Sequence, residues 1–438
     1  MTPFEIGLAS IVAIIALIYL GIYIPVALAL TSFVGVWLMR GNVDVAINML
    51  ALAATQAISD YIFGVIPLFV LMGMFASAAG LGQDVYQVAE RGLRRLPGGL
   101  GLATVAGNTV FAAITGVTIA SAAVFARISV PEMLKFGYQR KFAAGVVAGS
   151  SVLGMLIPPS VLLIVYAIIA ERSIGSMFIA GILPGLLLAF AYCIGIVAMA
   201  RFTPGFVYQL NRQISEIELE PMSTLDVLVK LAPSALLIVT VIGGIYGGIF
   251  TPTEAGAVGA LMAMIVAILK GATDLRKLWA IVIDAGAITA SILFIVLAAT
   301  MYSRMLGLSG MPTQIASYMT SLHAGYALTI AVFVVLALLL GTIIDSLSII
   351  LILVPLFIPL IKPFGADLVW FGIIAVVAVE IGLLTPPFGI SCFVIRSALD
   401  DYNVRLSEVF VGALPFAGIM LFVLLILIIF PWFSLALL

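Results

Sequence analysis

Charge is what this sequence has least of. Asp, Glu, Lys and Arg make up 9% of 438 residues, against 64% hydrophobic residues, whereas roughly a quarter charged is usual for a soluble domain. With a mean hydropathy of +1.32, that deficit excludes a water-soluble fold and a nucleic-acid-binding surface, and it implies a chain solvated by the lipid bilayer. Histidine occurs once, as His323, and cysteine twice, as Cys193 and Cys392. Both cysteines fall inside apolar stretches, which indicates neither a disulfide framework nor a thiolate metal site. There is no HExxH, GxSxG or Walker motif, and no nucleophile stands at a recognisable spacing from the lone histidine. An intramembrane enzyme, a protease or a transferase, is therefore a weak alternative, and without an ATP site transport would have to draw on an ion gradient. No basic region precedes the first apolar run at Met1-Thr2-Pro3-Phe4-Glu5, so the first helix is expected to be retained. The longest polar connector covers 201–228, too short for a domain that captures dilute solute.

What the sequence does contain is apolar segments of spanning length, at 4–22, 25–39, 61–80, 142–170, 177–200, 229–249, 253–270, 279–303, 367–396 and 409–431. Two further stretches, 96–126 and 325–361, fit one crossing badly, because about 20 residues at about 1.5 Å each traverse the hydrocarbon. If 96–126 crossed, Arg91, Arg94 and Arg95 would face Arg127, Lys135, Arg140 and Lys141 from the opposite side, against the cytoplasmic bias of basic residues. A re-entrant hairpin keeps both clusters inside. Treating 325–361 likewise, with the N-terminus outside, leaves only Arg40, Arg172, Arg304 and Lys362 of the 19 basic residues on the outer face. The segment 42–60, with Asp44 and Asp60 around an apolar helical pattern, reads as an interfacial arm bracing the rest.

The halves repeat. Tyr19-Leu20-Gly21-Ile22-Tyr23-Ile24-Pro25 returns as Tyr246-Gly247-Gly248-Ile249-Phe250-Thr251-Pro252, and Gly154-Met155-Leu156-Ile157-Pro158-Pro159 as Gly382-Leu383-Leu384-Thr385-Pro386-Pro387. Two separate matches at nearly one offset make chance a poor account. Each half then holds five crossings and one re-entrant hairpin, and an odd number turns the second repeat upside down. The expected fold is an all-α polytopic membrane protein of two inverted repeats. Repeat one covers 1–215, with scaffold spans in 4–80, hairpin 96–126, broken helix 142–170 and span 177–200. Repeat two covers 216–438, with scaffold spans in 229–303, hairpin 325–361, broken helix 367–396 and span 409–431. Both Pro-Pro pairs interrupt long spans, since proline lacks the helix donor and clashes with the preceding turn. Freed carbonyls at mid-membrane must line a cavity, where they suit a hard cation such as sodium, while helix N-termini suit an anion. The hairpin tips are expected near 114–118 and 341–346, each facing the break of its own half.

At these positions the chain resembles a known family. The runs 149–160 (Gly-Ser-Ser-Val-Leu-Gly-Met-Leu-Ile-Pro-Pro-Ser), 248–256 (Gly-Ile-Phe-Thr-Pro-Thr-Glu-Ala-Gly) and 380–389 (Glu-Ile-Gly-Leu-Leu-Thr-Pro-Pro-Phe-Gly) are similar to the signatures of the large membrane subunit of tripartite ATP-independent periplasmic (TRAP) transporters. The likeness runs nearly end to end. It implies a multi-pass protein of the bacterial inner membrane and an elevator-type carrier coupled to sodium. It also implies a small four-helix membrane subunit and a periplasmic substrate-binding protein that delivers an organic acid. The first three spans of each half would form the scaffold, and the hairpins and broken helices the mobile part. By position, the family's cation sites would map onto Thr115, Gly116 and Thr118 with Ser150 and Gly154, and onto Gly341, Asp345 and Ser346 with Gly382 and Thr385. Thr118, Pro159, Ser160, Thr342 and Pro386 would line the substrate. Where many relatives carry Gly-Gly-Thr before the first break, this chain has Gly149-Ser150-Ser151, which leaves open which hydroxyl faces an ion. A stand-alone divalent-anion and sodium symporter would share the repeats and hairpins but need no binding protein.

Single residues admit plainer readings. Asp345 is the only formal charge between His323 and Lys362, and an intramembrane carboxylate points to an ion or substrate role, against a hydrogen bond internal to the hairpin. Glu380, ahead of a break, reads equally as a cap for backbone groups or as a functional carboxylate. Glu254 after Thr251-Pro252-Thr253 fits a carboxylate favoured by a helix N-terminus. His323 reads as a solvated external loop residue.

Overall fold

The computed structural model describes residues 1–59, 61–209, 222–321, 325–387 and 389–438. Asp60, Arg212, His323 and Phe388 lie outside the described residues, as does the expected boundary at 215/216. Among the described residues the chain is helical without a named strand; one isolated bridge pairs Tyr138 with Tyr208.

Helices begin where capping side chains and prolines allow. Thr2 and Glu5 close a capping box on α1 (Pro3–Tyr19), and Pro25 opens α2 (Ile24–Arg40), which ends on left-handed Gly41. The arm is α3 (Val43–Ser59). A 3-10 turn then leads into α4 (Val65–Ala78). Next comes α5 (Leu81–Leu93), a polar helix that hydropathy does not reveal. The first hairpin is α6 (Gly99–Thr115) and α7 (Thr118–Lys135), joined through Gly116 at φ 64°. The first broken helix is α8 (Arg140–Ser151), the short α9 (Leu153–Leu156) and α10 (Val161–Ile169), bent by 43° at the proline pair. A single long span, α11 (Ile174–Phe202), and a turn, α12 (Pro204–Val207), complete this half.

The second half repeats the order. α13 (Thr224–Ile238) passes through a π turn into the short α14 (Gly244–Tyr246), and α15 (Pro252–Leu269) follows its own capping box of Thr251 and Glu254. Then come α16 (Leu275–Ser309) and α17 (Met311–Ser321), and the second hairpin, α18 (Tyr326–Gly341) and α19 (Ser346–Ile361). The second broken helix is α20 (Leu368–Gly382) and α21 (Ile390–Ala398), followed by α22 (Leu406–Ile429) and the short α23 (Trp432–Leu435). The first residues of α2, α7 and α8 and those of α15, α19 and α20 stand 228 positions apart.

Seven helices are long and apolar enough to cross a membrane, or eight if the bent pair is one span, among the described residues. Six of the ten expected spans are among the seven, and the seventh, Ser346–Phe364, lies in the stretch expected as the second hairpin; α1, α2 and α20 are each a few residues short of that length, and 142–170 counts only as the bent pair. The span expected at 279–303 is a 35-residue helix, for the reason that Asp274 caps it, its side chain accepting from Lys277 N at 2.8 Å, and only Gly310 at φ 65° ends it; charges that stop a hydropathy reading do not stop a helix.

Backbones meet where glycine removes the side chain, the usual device between membrane helices. α8 crosses α22 at Gly145 and Gly412, where a Cβ on either residue would collide with the other helix's backbone. α18 meets α20 at Gly341 and Gly382, where a Cβ on Gly341 would stand 2.7 Å from Gly382 Cα. The halves are also stitched by Tyr166, whose hydroxyl donates to Leu368 O at 2.6 Å. The core is thickest around α8, α10 and α20, whose residues are almost all buried.

Candidate functional site

Four chain interruptions converge: the hairpin tips at 116–117 and 342–345 and the breaks at 157–160 and 383–387. At the first tip, Gly116 packs against the Pro159 carbonyl, and Val161 N donates to Gly116 O at 3.2 Å. Gly154 lies beneath the same tip, 3.3 Å from Thr118 N at the position a Cβ would take. Thr115 turns its hydroxyl back onto Phe111 O (3.0 Å), and its own carbonyl lies against Gly73 of α4. At the second tip, Gly341 and Gly382 touch as described above, so each tip rests on the broken helix of its own half.

The two tips are joined by Glu380. Its carboxylate is buried in α20 and accepts hydrogen bonds from Ser346 Oγ at 2.6 Å and from Thr118 Oγ1 at 3.0 Å, one on each oxygen. Ser346 opens α19 and Thr118 opens α7. Two helix N-termini, each worth roughly half a positive charge, thus point at a carboxylate that has no salt bridge among the described residues. Tyr192 of α11, fully buried, is within electrostatic reach of Glu380, and its hydroxyl has no hydrogen-bond partner among the described residues. An isolated buried carboxylate costs several kcal/mol; here two hydroxyl donors and two helix ends offset that cost and lock the tips to one another.

The other expected residues divide. Ser150 sits apart from the tips, accepting from Asn108 Nδ2 at 2.6 Å, while Asn108 Oδ1 accepts from Ser121 Oγ at 2.6 Å; all three are fully buried and mutually satisfied. This triad ties both arms of the first hairpin to α8. Asp345 is the N-cap of α19, its two oxygens accepting from Ser348 N (3.1 Å) and Ser348 Oγ (2.6 Å). Ser160 caps α10 in the same manner, accepting from Leu163 N at 3.2 Å. Thr342 and Thr385 donate to Leu339 O (2.8 Å) and Ile381 O (2.7 Å) of their own helices, and Pro386 is exposed. The sequence reading left Glu380 between cap and function and did not single out Asn108, Ser121 or Tyr192. The available signal was isolation, since Glu380 is the sole ionisable Asp, Glu, Lys or Arg between Asp367 and Arg396.

At the end of the first hairpin opposite its tip a cavity of about 610 Å³ is lined by Glu90, Arg91, Arg127, Glu132 and Lys135. Burial, and then Glu132, push the Glu90 carboxyl above the usual carboxylate range, with Arg94, Arg91 and Lys135 opposing.

Comparison with known proteins places this geometry. Residues 11–433 match the family model of the DctM component of the tripartite ATP-independent periplasmic transporter. The chain is 34% identical over 398 residues to a C4-dicarboxylate TRAP transporter large permease protein of Pseudomonas aeruginosa, covering 90% of each chain. It is 32% identical to the isethionate TRAP transporter permease protein DctMQ of Oleidesulfovibrio alaskensis, covering 93% of this chain and 63% of that one. The crystal structure of the Alcanivorax borkumensis YdaH transporter shares the fold, with a TM-score of 0.65, 12% identity and 90% of both chains covered.

Proposed function

The chain belongs to the DctM component family of tripartite ATP-independent periplasmic transporters, and on that premise we propose that it imports a small organic acid anion by sodium-coupled, binding-protein-dependent elevator transport. It is a multi-pass inner-membrane permease subunit rather than an enzyme. Its partners in this reading are a periplasmic substrate-binding protein and a small four-helix membrane subunit, the latter suggested also by the length that the DctMQ relative has beyond this chain. The two interior repeats, with their odd number of crossings, form the inverted pair from which alternating access follows.

The observation that carries the proposal is the meeting of the two hairpin tips on Glu380, which supports their movement as one unit against α4 and α15. Sodium ligands are assigned to Thr115, Gly116, Thr118 and Gly154 at the first tip, and to Gly341, Asp345, Ser346, Gly382 and Thr385 at the second. Ser150, in its closed triad, would act by fixing hairpin shape. The substrate's acid group is assigned to the tip and break surface of Thr118, Thr342, Pro159, Ser160 and Pro386. No arginine clamp lies there, so recognition would rest on hydroxyls and backbone amides, which accept a carboxylate or a sulfonate alike. The relatives' names, with a C4-dicarboxylate and isethionate, fit that breadth.

The test is uptake of labelled C4-dicarboxylate and isethionate into liposomes holding this chain with its membrane partner and loaded binding protein. An inward sodium gradient without ATP should drive accumulation, and collapse of that gradient should abolish it. Accumulation unchanged after the gradient is collapsed would contradict sodium coupling.

A further inference from the structure

A second cavity lies away from the tips. It has a volume of about 530 Å³ and opens sideways between the first hairpin and α11. Leu96 and Ala106 form one wall, and Phe190, Cys193 and Ile194 the other. Phe190 is 65% exposed, Ile194 55% and Leu96 48%, so the groove opens toward lipid and not toward the interior.

Its length and its charge single out an occupant. The α11 wall runs from Phe190 to Phe202, about 18 Å at about 1.5 Å per residue. Half of a hydrocarbon core of about 30 Å is about 15 Å, so the groove spans one leaflet. Every lining side chain is uncharged except Arg201, which stands at the end where α11 finishes. Arg201 forms no salt bridge among the described residues, and exposed Arg95 directly precedes Leu96 of the groove wall. By the distribution of basic residues this is the cytoplasmic end, where anionic headgroups attract Lys and Arg.

We infer that this groove binds one anionic phospholipid of the cytoplasmic leaflet, an acyl chain lying along α11 and the phosphate at Arg201. Such a lipid fills a slot that protein side chains leave open and touches α6, the first arm of a hairpin. The inference rests on membrane embedding and on the sidedness that the basic residues indicate, and stands apart from any coupling ion.

The test uses the full-length chain, purified with any membrane partner that accompanies it, delipidated in detergent and titrated with phosphatidylglycerol or phosphatidylcholine of matched acyl chains. Bound lipid is counted by native mass spectrometry, and the thermal midpoint is followed in parallel. Phosphatidylglycerol should be retained at one copy per chain with about fivefold preference, the contribution of one basic residue near a headgroup. R201Q should bring the two lipids to parity while leaving total acyl-chain binding intact, and A106W, which fills the slot, should remove the retained lipid in both cases. Where A106W does not fold, C193F from the opposite wall gives the same reading. Equal retention of the two lipids by the unaltered chain, or an R201Q preference unchanged from it, would overturn the assignment. So would a protein subunit that covers the groove and excludes lipid altogether.

Discussion

Ser346 and Thr118 stand 34 and 262 residues from Glu380, so no local pattern in the sequence could report that one carboxylate holds both. A helix break nearby explains a cap equally well, and only folding distinguishes the two. E380Q keeps shape but removes the charge that two helix N-termini face. Hydrogen bonds to a charged group are worth about 1.5–3 kcal/mol, so initial uptake should fall about tenfold or more in a variant that still purifies as a folded chain. Unchanged uptake would remove Glu380 from the coupling of the tips. Asp345 was legible from sequence as an intramembrane carboxylate, and its capping of Ser348 makes a cleaner experiment possible. Asn serves as an N-cap about as well as Asp, so D345N should fold normally; its half-saturating sodium concentration should nonetheless rise, and wild-type sodium dependence would exclude Asp345 as an ion ligand. Glu90 sits outside the spans, and its raised carboxyl gives a signed pH dependence. The folded state holds this proton more tightly than the unfolded chain, so the stabilising effect is present at low pH. It is lost as pH rises from the unfolded value near 4.3 through the higher folded one. E90Q should therefore melt at a higher temperature than the unaltered chain at pH 8, with the difference shrinking toward pH 5; a difference independent of pH would refute the assignment.

Elements divide by how hydropathy sees them. The tips were legible because Thr115-Gly116 and Gly341-Thr342 punctuate otherwise apolar arms, and the breaks because Pro-Pro cannot continue a helix. α5 was not legible, since Gln83, Asp84, Gln87, Glu90 and Arg91 make it polar to an apolar-run reading, although Leu81, Val85 and Tyr86 form its buried face. Asp84 is also where Lys230 of α13 and Lys270 at the end of α15 converge, a contact between halves that sequence alone does not announce. The crossing of α8 with α22 carries the sharpest prediction at this scale. G412A places a methyl group against the Lys141 carbonyl, and backbone cannot step aside as a side chain can. Overpacking of this kind costs about 1–3 kcal/mol or more, so the yield of monodisperse protein and its thermal midpoint should fall. G418A on the same helix meets nothing within 4 Å and should be tolerated. Equal behaviour of the two variants would contradict the close crossing.

At the scale of the whole molecule, low charge, short connectors and repeated motifs were enough to indicate a membrane carrier. What they could not supply is how the halves lock together, because that depends on Glu380 with Thr118, Tyr166 with Leu368 and Gly145 with Gly412 meeting across more than two hundred residues. Sidedness remains testable directly: a single cysteine placed within 136–139 should be labelled only from the cytoplasmic face, next to Lys135 and Arg140, and labelling of intact cells from outside would reverse the topology. In the proposed function this chain moves an acid anion only as part of a larger assembly powered by sodium. The most direct measurement compares sodium-driven uptake in liposomes holding the chain alone with uptake in liposomes that also hold its small membrane partner and receive loaded binding protein. The account predicts negligible uptake by the chain alone and accumulation by the full set; robust sodium-driven uptake by the isolated chain would contradict it and establish a stand-alone symporter.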